Sequence, residues 1–395
     1  MKKYLMIFAA ALTALVSCSK DNYIAGPGGS GSGGSSSEEE QTTEIADKID
    51  GRVALAYCTY YGTRIPDCRY ITNINYGFAE LYVVNGVYKG FKLQGAYDKN
   101  TNPETRFSKI VALKKQYPDL KISISFTHTV ANYDNSQGGG FSAMAKTEEG
   151  RKAFAKDCLA FLNKWGIDGI DIDWEFPGLS WSGHACDTEV DVENFTLLMK
   201  QLRETLGSRY LLTYAGYVMD KKSDSSGNRY IDIKAVEPYV DFVNIMTYDI
   251  ASGAEGQHQS PLKKASNYWD CDRAVKAYLN AGVPASKLVL GIPFYARHAW
   301  DNSDGYKGCV DYDDFGTEFP TSKGFKIDNW DSEGQVPYVT KDGKYWAGYD
   351  NVRSIGIKAD WIREKGMMGL MYWDYDADDS QGTLRNAVWN SVMKK

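Results

Sequence analysis

The sequence predicts an α/β chain folded as a (β/α)8 TIM barrel, with a short insertion between the seventh and eighth strands. Two observations lead there. From Arg52 onward, eight short runs rich in Ile, Val, Tyr and Phe recur, and most are separated by amphipathic helical stretches. The length also fits, because one α/β barrel fills about 250 residues or more and the folded part here covers 48–395 of the 395 residues. A doubly wound open sheet competes with this reading, but it normally carries a glycine fingerprint for a nucleotide, and none follows a strand here.

The first 47 residues stand outside the barrel. Lys2 and Lys3 precede the apolar run Tyr4 to Val16, so 1–17 reads as a signal peptide rather than a spanning helix. Leu15-Val16-Ser17-Cys18 resembles the bacterial lipobox. That resemblance implies cleavage before Cys18, lipidation of Cys18, and a place in the bacterial cell envelope, at the outer membrane or cell surface. Residues 18–47 read as a flexible linker. Gly26 to Ser37 has nothing to bury, and Glu38-Glu39-Glu40 repels itself. Gly29, Gly31 and Gly34 satisfy G-x-G-x-x-G by accident, with no strand before them and no helix after.

The eight strand candidates are Arg52–Tyr57, Asn73–Phe78, Lys121–Phe126, Gly169–Glu175, Tyr210–Ala215, Phe242–Tyr248, Leu288–Pro293 and Gly369–Trp373. Between the third and fourth, Thr147 to Trp165 has a helical stripe of Phe154, Cys158, Phe161, Leu162 and Trp165, ended by Gly166. Before the eighth strand a helix is expected around Asn351–Lys365. The insertion, 294–348, is aromatic and rich in Gly, and should form a loop or small subdomain.

Composition excludes some partners. Hydrophobic residues make up 43% and charged residues 24%, an ordinary soluble balance. The net charge of -6 argues against nucleic acid and anionic lipid, leaving the lipid anchor as the only membrane contact. No internal run is apolar enough to span a bilayer. Tyr (28), Trp (10) and Phe (15) are plentiful enough to stack on sugar rings as well as fill a core. After Cys18 six cysteines remain, an even number that permits disulfides in an exported chain without establishing them. No C-x-x-C or H-E-x-x-H occurs, so neither metal nor cofactor is expected.

The chemistry lies in 166–177. In a strand, alternate side chains share a face, so Asp171, Asp173 and Glu175 point one way and Ile170, Ile172 and Trp174 the other. Inside a barrel the acids would face inward and could not all ionise cheaply. Glu175 comes last, at the end where a substrate would lie, and a carboxyl keeping its proton near neutrality suits a general acid. By the same parity Met246 and Tyr248 share a face with Asn244, and Met371 and Trp373 with Gly369. This pattern specifies acid–base chemistry and no particular substrate.

Asp168-Gly-Ile-Asp171-Ile-Asp173-Trp-Glu175 resembles the D-x-x-D-x-D-x-E signature of glycoside hydrolase family 18, the chitinases and their relatives. Asn244-Ile-Met246-Thr-Tyr248-Asp249 resembles the family's sixth strand, and His258-Gln-Ser260-Pro261-Leu262 the loop after it. Gly291-Ile-Pro-Phe-Tyr295-Ala-Arg297 and Gly369-Leu-Met371-Tyr-Trp373 resemble the seventh and eighth strands. The likeness runs from about Arg52 to Met393.

It implies a glycosidase for N-acetylglucosamine-containing oligo- or polysaccharides, acting as a monomer by substrate-assisted retaining catalysis. Glu175 would be the acid, Asp173 would orient the sugar's acetamido group, Asp171 would tune Asp173, and Tyr248 would hold the acetamido oxygen. Trp373, Asp249, Met246 and Tyr57 are the implied substrate contacts. Tyr60, Trp181, Trp269, Tyr295, Trp300 and Trp346 lie near predicted loop ends, with Trp181 and Tyr295 favoured for flanking subsites. Two departures from the family pattern carry expectations. Ser123-Ile-Ser125-Phe126 stands where the family has S-x-G-G, so Phe126 should reshape the floor beside Asp171. The insertion looks short, which should remove one wall and leave a shallow cleft. Three activities fit: a chitinase, an endo-β-N-acetylglucosaminidase cutting N-glycan cores, or a glycan-binding protein without catalysis.

Overall fold

The computed structural model describes residues 45–95, 102–130, 140–179, 186–219, 230–250, 258–263, 269–300 and 302–395. The signal peptide, Cys18, the linker up to residue 44 and Trp181 lie outside the described residues. Fourteen strands are described: β1 (Val53–Thr59), β2 (Asn73–Val84), β3 (Val87–Leu93), β4 (Lys121–Val130), β5 (Gly169–Asp173), β6 (Leu211–Gly216), β7 (Phe242–Ile245), β8 (Leu288–Pro293), β9 (Tyr295–Arg297), β10 (Cys309–Asp311), β11 (Phe325–Asp331), β12 (Val336–Lys341), β13 (Lys344–Gly348) and β14 (Gly369–Trp373). Eight of them, in the order β1-β2-β4-β5-β6-β7-β8-β14, pair in parallel and close on themselves through β14 and β1. This is the (β/α)8 barrel, and each of its strands overlaps one of the eight expected from the sequence.

The helices are α1 (Pro103–Ala112), α2 (Gly140–Lys146), α3 (Glu148–Trp165), α4 (Asp191–Leu206), α5 (Ile233–Val236), α6 (Cys271–Asn280), α7 (Phe315–Glu318), α8 (Val352–Glu364) and α9 (Thr383–Val392). α3 shows why the local sequence folds as it does. The Thr147 side chain accepts from the Gly150 N–H at its start, and Gly166 ends it in the left-handed conformation at φ 64°. Phe154, Cys158 and Leu162 are fully buried against the barrel, while Phe161 and Trp165 pack at its edge. Between β1 and β2 the chain makes only a single 3-10 turn at Cys68–Tyr70.

Strand alternation builds two apolar layers. Ala54, Ala56 and Cys58 join the large layer between strands and helices, whereas Val53, Leu55 and Tyr57 turn inward with Ala215, Phe242, Met246, Val289 and Met371. The barrel interior is therefore apolar at its base and polar toward the carboxyl ends of the strands. At the base, residues 45–52 are pinned to the chain's other end. Trp389 Nε1 donates to the Ala46 carbonyl at 2.8 Å, and Arg52 Nη1 to the Val392 carbonyl at 2.6 Å.

Of the two forms expected for the insertion it takes the small subdomain: β9 to β13 form a five-stranded sheet, antiparallel in every pairing, over a core of Ala296, Val310, Phe315, Phe319, Phe325, Val339, Ala347 and Tyr349. Its five strands are short, three to seven residues each. One expectation, that for Phe126, needs correction. Phe126 does not touch the floor beside Asp171. Strand parity turns it outward, where it packs on Phe91 and Phe154 at ring separations of 4.8 and 4.9 Å. The six cysteines among the described residues are all free thiols, four of them buried.

Candidate active site

The carboxyl end of β5 delivers the acids. Ile170, Ile172 and Trp174 pack outward, with Trp174 stacked on Phe141 at 5.3 Å, which leaves Asp171, Asp173 and Glu175 facing the interior. Asp168, one residue before the strand, lies at the opposite end. It accepts from the Ile122 N–H at 2.8 Å and pairs with Lys114, so it closes the base of the barrel.

Asp171 is completely buried and held by four uncharged donors. Tyr57 OH (2.8 Å) and Ser125 Oγ (2.7 Å) donate to Oδ2, while Thr213 Oγ1 (2.6 Å) and Asn244 Nδ2 (3.3 Å) donate to Oδ1. Burial pushes its carboxyl upward and the four bonds pull it back. Ser125 and Thr213 are its direct register neighbours on β4 and β6. These partners escaped the sequence reading, although a polar residue at the inward position of an otherwise apolar strand was the available signal.

Asp173 is driven well above the ordinary carboxyl range, first by burial and then by the charges of Glu175 and Asp171. Its Oδ1 is buried without a hydrogen-bond partner. Glu175, with a side chain 26% exposed, is raised to about 7 by burial and by the nearby charge of Asp249. The hydrogen bond that Asp173 and Glu175 share requires a proton between them. His128 Nδ1 lies 3.9 Å from Glu175 Oε1.

The remaining candidates ring this acid pair. β7 stops at Ile245, so Met246 to Asp249 form the turn that follows it. Met246 packs inside the barrel with Met371. The Tyr248 phenol approaches the Met371 sulfur at 3.9 Å and meets Tyr295 edge-on at 6.3 Å. Asp249, in the left-handed region at φ 54°, is clamped by Arg297, with Nε at 2.8 Å and Nη2 at 2.7 Å. Trp373 stacks on Phe78 at 5.5 Å and leans on Tyr57 at the same distance.

The other aromatics divide. Trp346 stacks on His298 inside the insertion at 3.7 Å, Trp269 lies under Arg273 at 4.0 Å, and Tyr60 packs edge-on against Tyr61. Trp300 is 55% exposed beside Arg297. Two aromatics the sequence reading passed over, Tyr217 and Phe176, pack together at 4.7 Å beyond Glu175. The arrangement offers an acid with its proton near neutrality, a second carboxyl sharing that proton, a phenol, and a flat indole.

The family model described as glycosyl hydrolases family 18 matches residues 53–378. Chitinase A1 of Niallia circulans is 30% identical over 314 residues, which cover 70% of this chain and 43% of the relative. Chitotriosidase-1 of Mus musculus is 30% identical over 312 residues, covering 72% of this chain and 64% of the relative. The chain thus spans less than two thirds of the length of either. Among solved structures, chitinase ChiA74 from Bacillus thuringiensis superimposes with a TM-score of 0.72 at 26% identity, covering 87% of this chain and 70% of that one.

Proposed function

The chain belongs to glycosyl hydrolase family 18, and from that premise we propose that it hydrolyses β-1,4 bonds between N-acetylglucosamine units, as in chitin and its oligomers. One observation carries the reading. Asp171, Asp173 and Glu175 share one interior face, and Glu175 at its open end holds its proton up to about 7. Relatives named as chitinases support the choice of substrate.

Retaining catalysis here runs without an enzyme nucleophile. Glu175 gives its proton to the glycosidic oxygen as the bond to the anomeric carbon breaks. The acetamido carbonyl oxygen of the same sugar attacks that carbon and forms an oxazolinium ion, while the leaving sugar departs as an alcohol. The unpartnered Oδ1 of Asp173 accepts the acetamido N–H and opposes the positive charge that grows on nitrogen. Tyr248 steadies the acetamido oxygen and Trp373 supports the ring. Glu175, now a carboxylate, takes a proton from water whose oxygen opens the oxazolinium, so two inversions leave the configuration retained.

The test compares the domain from residue 45 onward with its Glu175→Gln variant on chitooligosaccharides and on an N-glycoprotein, reading products by mass spectrometry. Shortened chitooligosaccharides, lost by a factor of about 10³ in the variant, are expected. Release of whole N-glycans would move the activity to an endo-β-N-acetylglucosaminidase. Binding without cleavage of either would leave a glycan-binding protein.

We propose further that Cys18 is acylated and that the protein is displayed, as a monomer, on a bacterial envelope. The lipobox-like Leu15-Val16-Ser17-Cys18 and the polar, Gly-rich stretch after it support this. Metabolic labelling with an alkynyl fatty acid should mark the wild type and spare Cys18→Ser. Protease shaving of intact cells should remove the domain, and full protection would place it inside the envelope instead.

A further inference from the structure

The most deeply buried cation among the described residues lies outside the acid cluster. Lys358, on the inner face of α8, has a side chain with no exposure, and so has its partner Asp350. The three hydrogens of an ammonium group need three acceptors, and Lys358 Nζ finds Asp350 Oδ2, the Ser260 carbonyl and Ser260 Oγ, each at 2.7 Å. Asp350 is further fixed by Ser354 Oγ at 2.6 Å. A fully satisfied buried pair of this kind is costly to assemble in place of apolar residues, which invites a role beyond packing.

The network continues toward the mouth of the barrel. Ser260 Oγ spends its own proton on the Thr247 carbonyl at 2.5 Å. Thr247 is also gripped from the other side, with Oγ1 donating to the Gly291 carbonyl at 2.8 Å and accepting from the Gly291 N–H at 2.9 Å. The next residue is Tyr248. Space around its ring is tight: a Cβ on Gly291 would lie 2.8 Å from Tyr248 Cε1 and 2.8 Å from Met371 Cε. The backbone that aims the phenol is therefore held by Gly291 on one side and by the chain Lys358–Ser260 on the other.

We infer that Lys358, Asp350 and Ser260 are positioning residues for Tyr248, relaying the seating of α8 and the end of the insertion to the aim of the phenol. They touch no substrate. The kinetic part of this inference rests on the hydrolytic reading above. The structural part does not.

Ser260→Ala cuts the link to Thr247 and leaves the Lys358–Asp350 ion pair in place. Its kcat on chitooligosaccharides should fall about tenfold with KM little changed, the signature of a group misaimed only in the transition state. Tyr248→Phe alone should lose more, and the double variant should lose no more than Tyr248→Phe. Lys358→Met alone would strand a buried carboxylate and unfold the region. The paired change Lys358→Met/Asp350→Leu removes both charges and should reproduce the Ser260→Ala loss. Fluorine NMR of fluorotyrosine-labelled protein reads the aim without catalysis. The resonance that vanishes in Tyr248→Phe should shift in Ser260→Ala and in the paired variant, while most tyrosine signals stay still. Losses that multiply in the double variant, or a Tyr248 resonance left in place, would overturn the inference. A wild type that cleaves nothing would sink the proposed activity, and the resonance would still decide the positioning role.

Discussion

A carboxylic acid that keeps its proton to about pH 7 sets the range over which it can act as an acid. With Glu175 in that role, kcat/KM should be flat just below neutrality and fall about tenfold per pH unit above it. Asp249 contributes to the upward push through its charge. Asp249→Asn, which also leaves Arg297 unopposed, should move the alkaline limb to lower pH, and an unmoved limb would remove Asp249 from the account. The same shift acts on stability. The folded pKa lies above the unfolded one, so the folded state binds more protons between about pH 4.5 and 7, and the stability that Glu175 contributes at low pH is lost as pH rises through 7. Glu175→Gln should therefore melt roughly 2–5 °C above wild type at pH 8, with the gap closing at pH 5. Calorimetry at the two values checks it.

Whole elements were legible where burial made their pattern simple. The barrel strands are short Ile-, Val-, Leu- and Tyr-rich runs, some of them, such as β5, alternating with polar residues that face the interior, and α3 announced itself by Thr147, its stripe and Gly166. The antiparallel parts were not read, although two of them carried a signal. Asn85-Gly86 joins β2 to β3 with φ of 49° and 75°, and Asp342-Gly343 joins β12 to β13 with 51° and 78°. Both are the residue pairs that tight hairpins favour. The neutral cradle of Asp171 was hidden for another reason, since Ser125, Thr213 and Asn244 meet it only through the register of separate strands. Two glycines test the element level. A Cβ on Gly369 would fall 1.8 Å from the Val53 carbonyl oxygen, at the seam where β14 meets β1. Gly369→Ala should cost about 1–3 kcal/mol in urea denaturation. Gly166→Ala meets open space and only a left-handed backbone, so about 1 kcal/mol with unchanged kcat is expected.

At the scale of the molecule, the five-stranded insertion is attached to the barrel by specific ties. Gln259 Nε2 donates to the Tyr295 carbonyl at 2.7 Å and the Gly348 carbonyl at 3.0 Å, joining the loop after β7 to β9 and β13, the first and last strands of the insertion. The other end of the barrel has its own fastening. Residues 45–52 and the end of α9 are bonded together at the base, while Glu175, Tyr248 and Trp373 lie at the opposite rim. That fastening gives the domain a compass. Whatever is joined to residue 45 or to the end of α9, whether an envelope, a resin bead or a second protein, attaches at the base and leaves the rim free. Coupled to a support through its amino end, the domain should hydrolyse soluble oligomers at its free-solution rate, whereas coupling through a residue at the rim should block the entrance. Long polymers would be met from above, on the side away from the attachment.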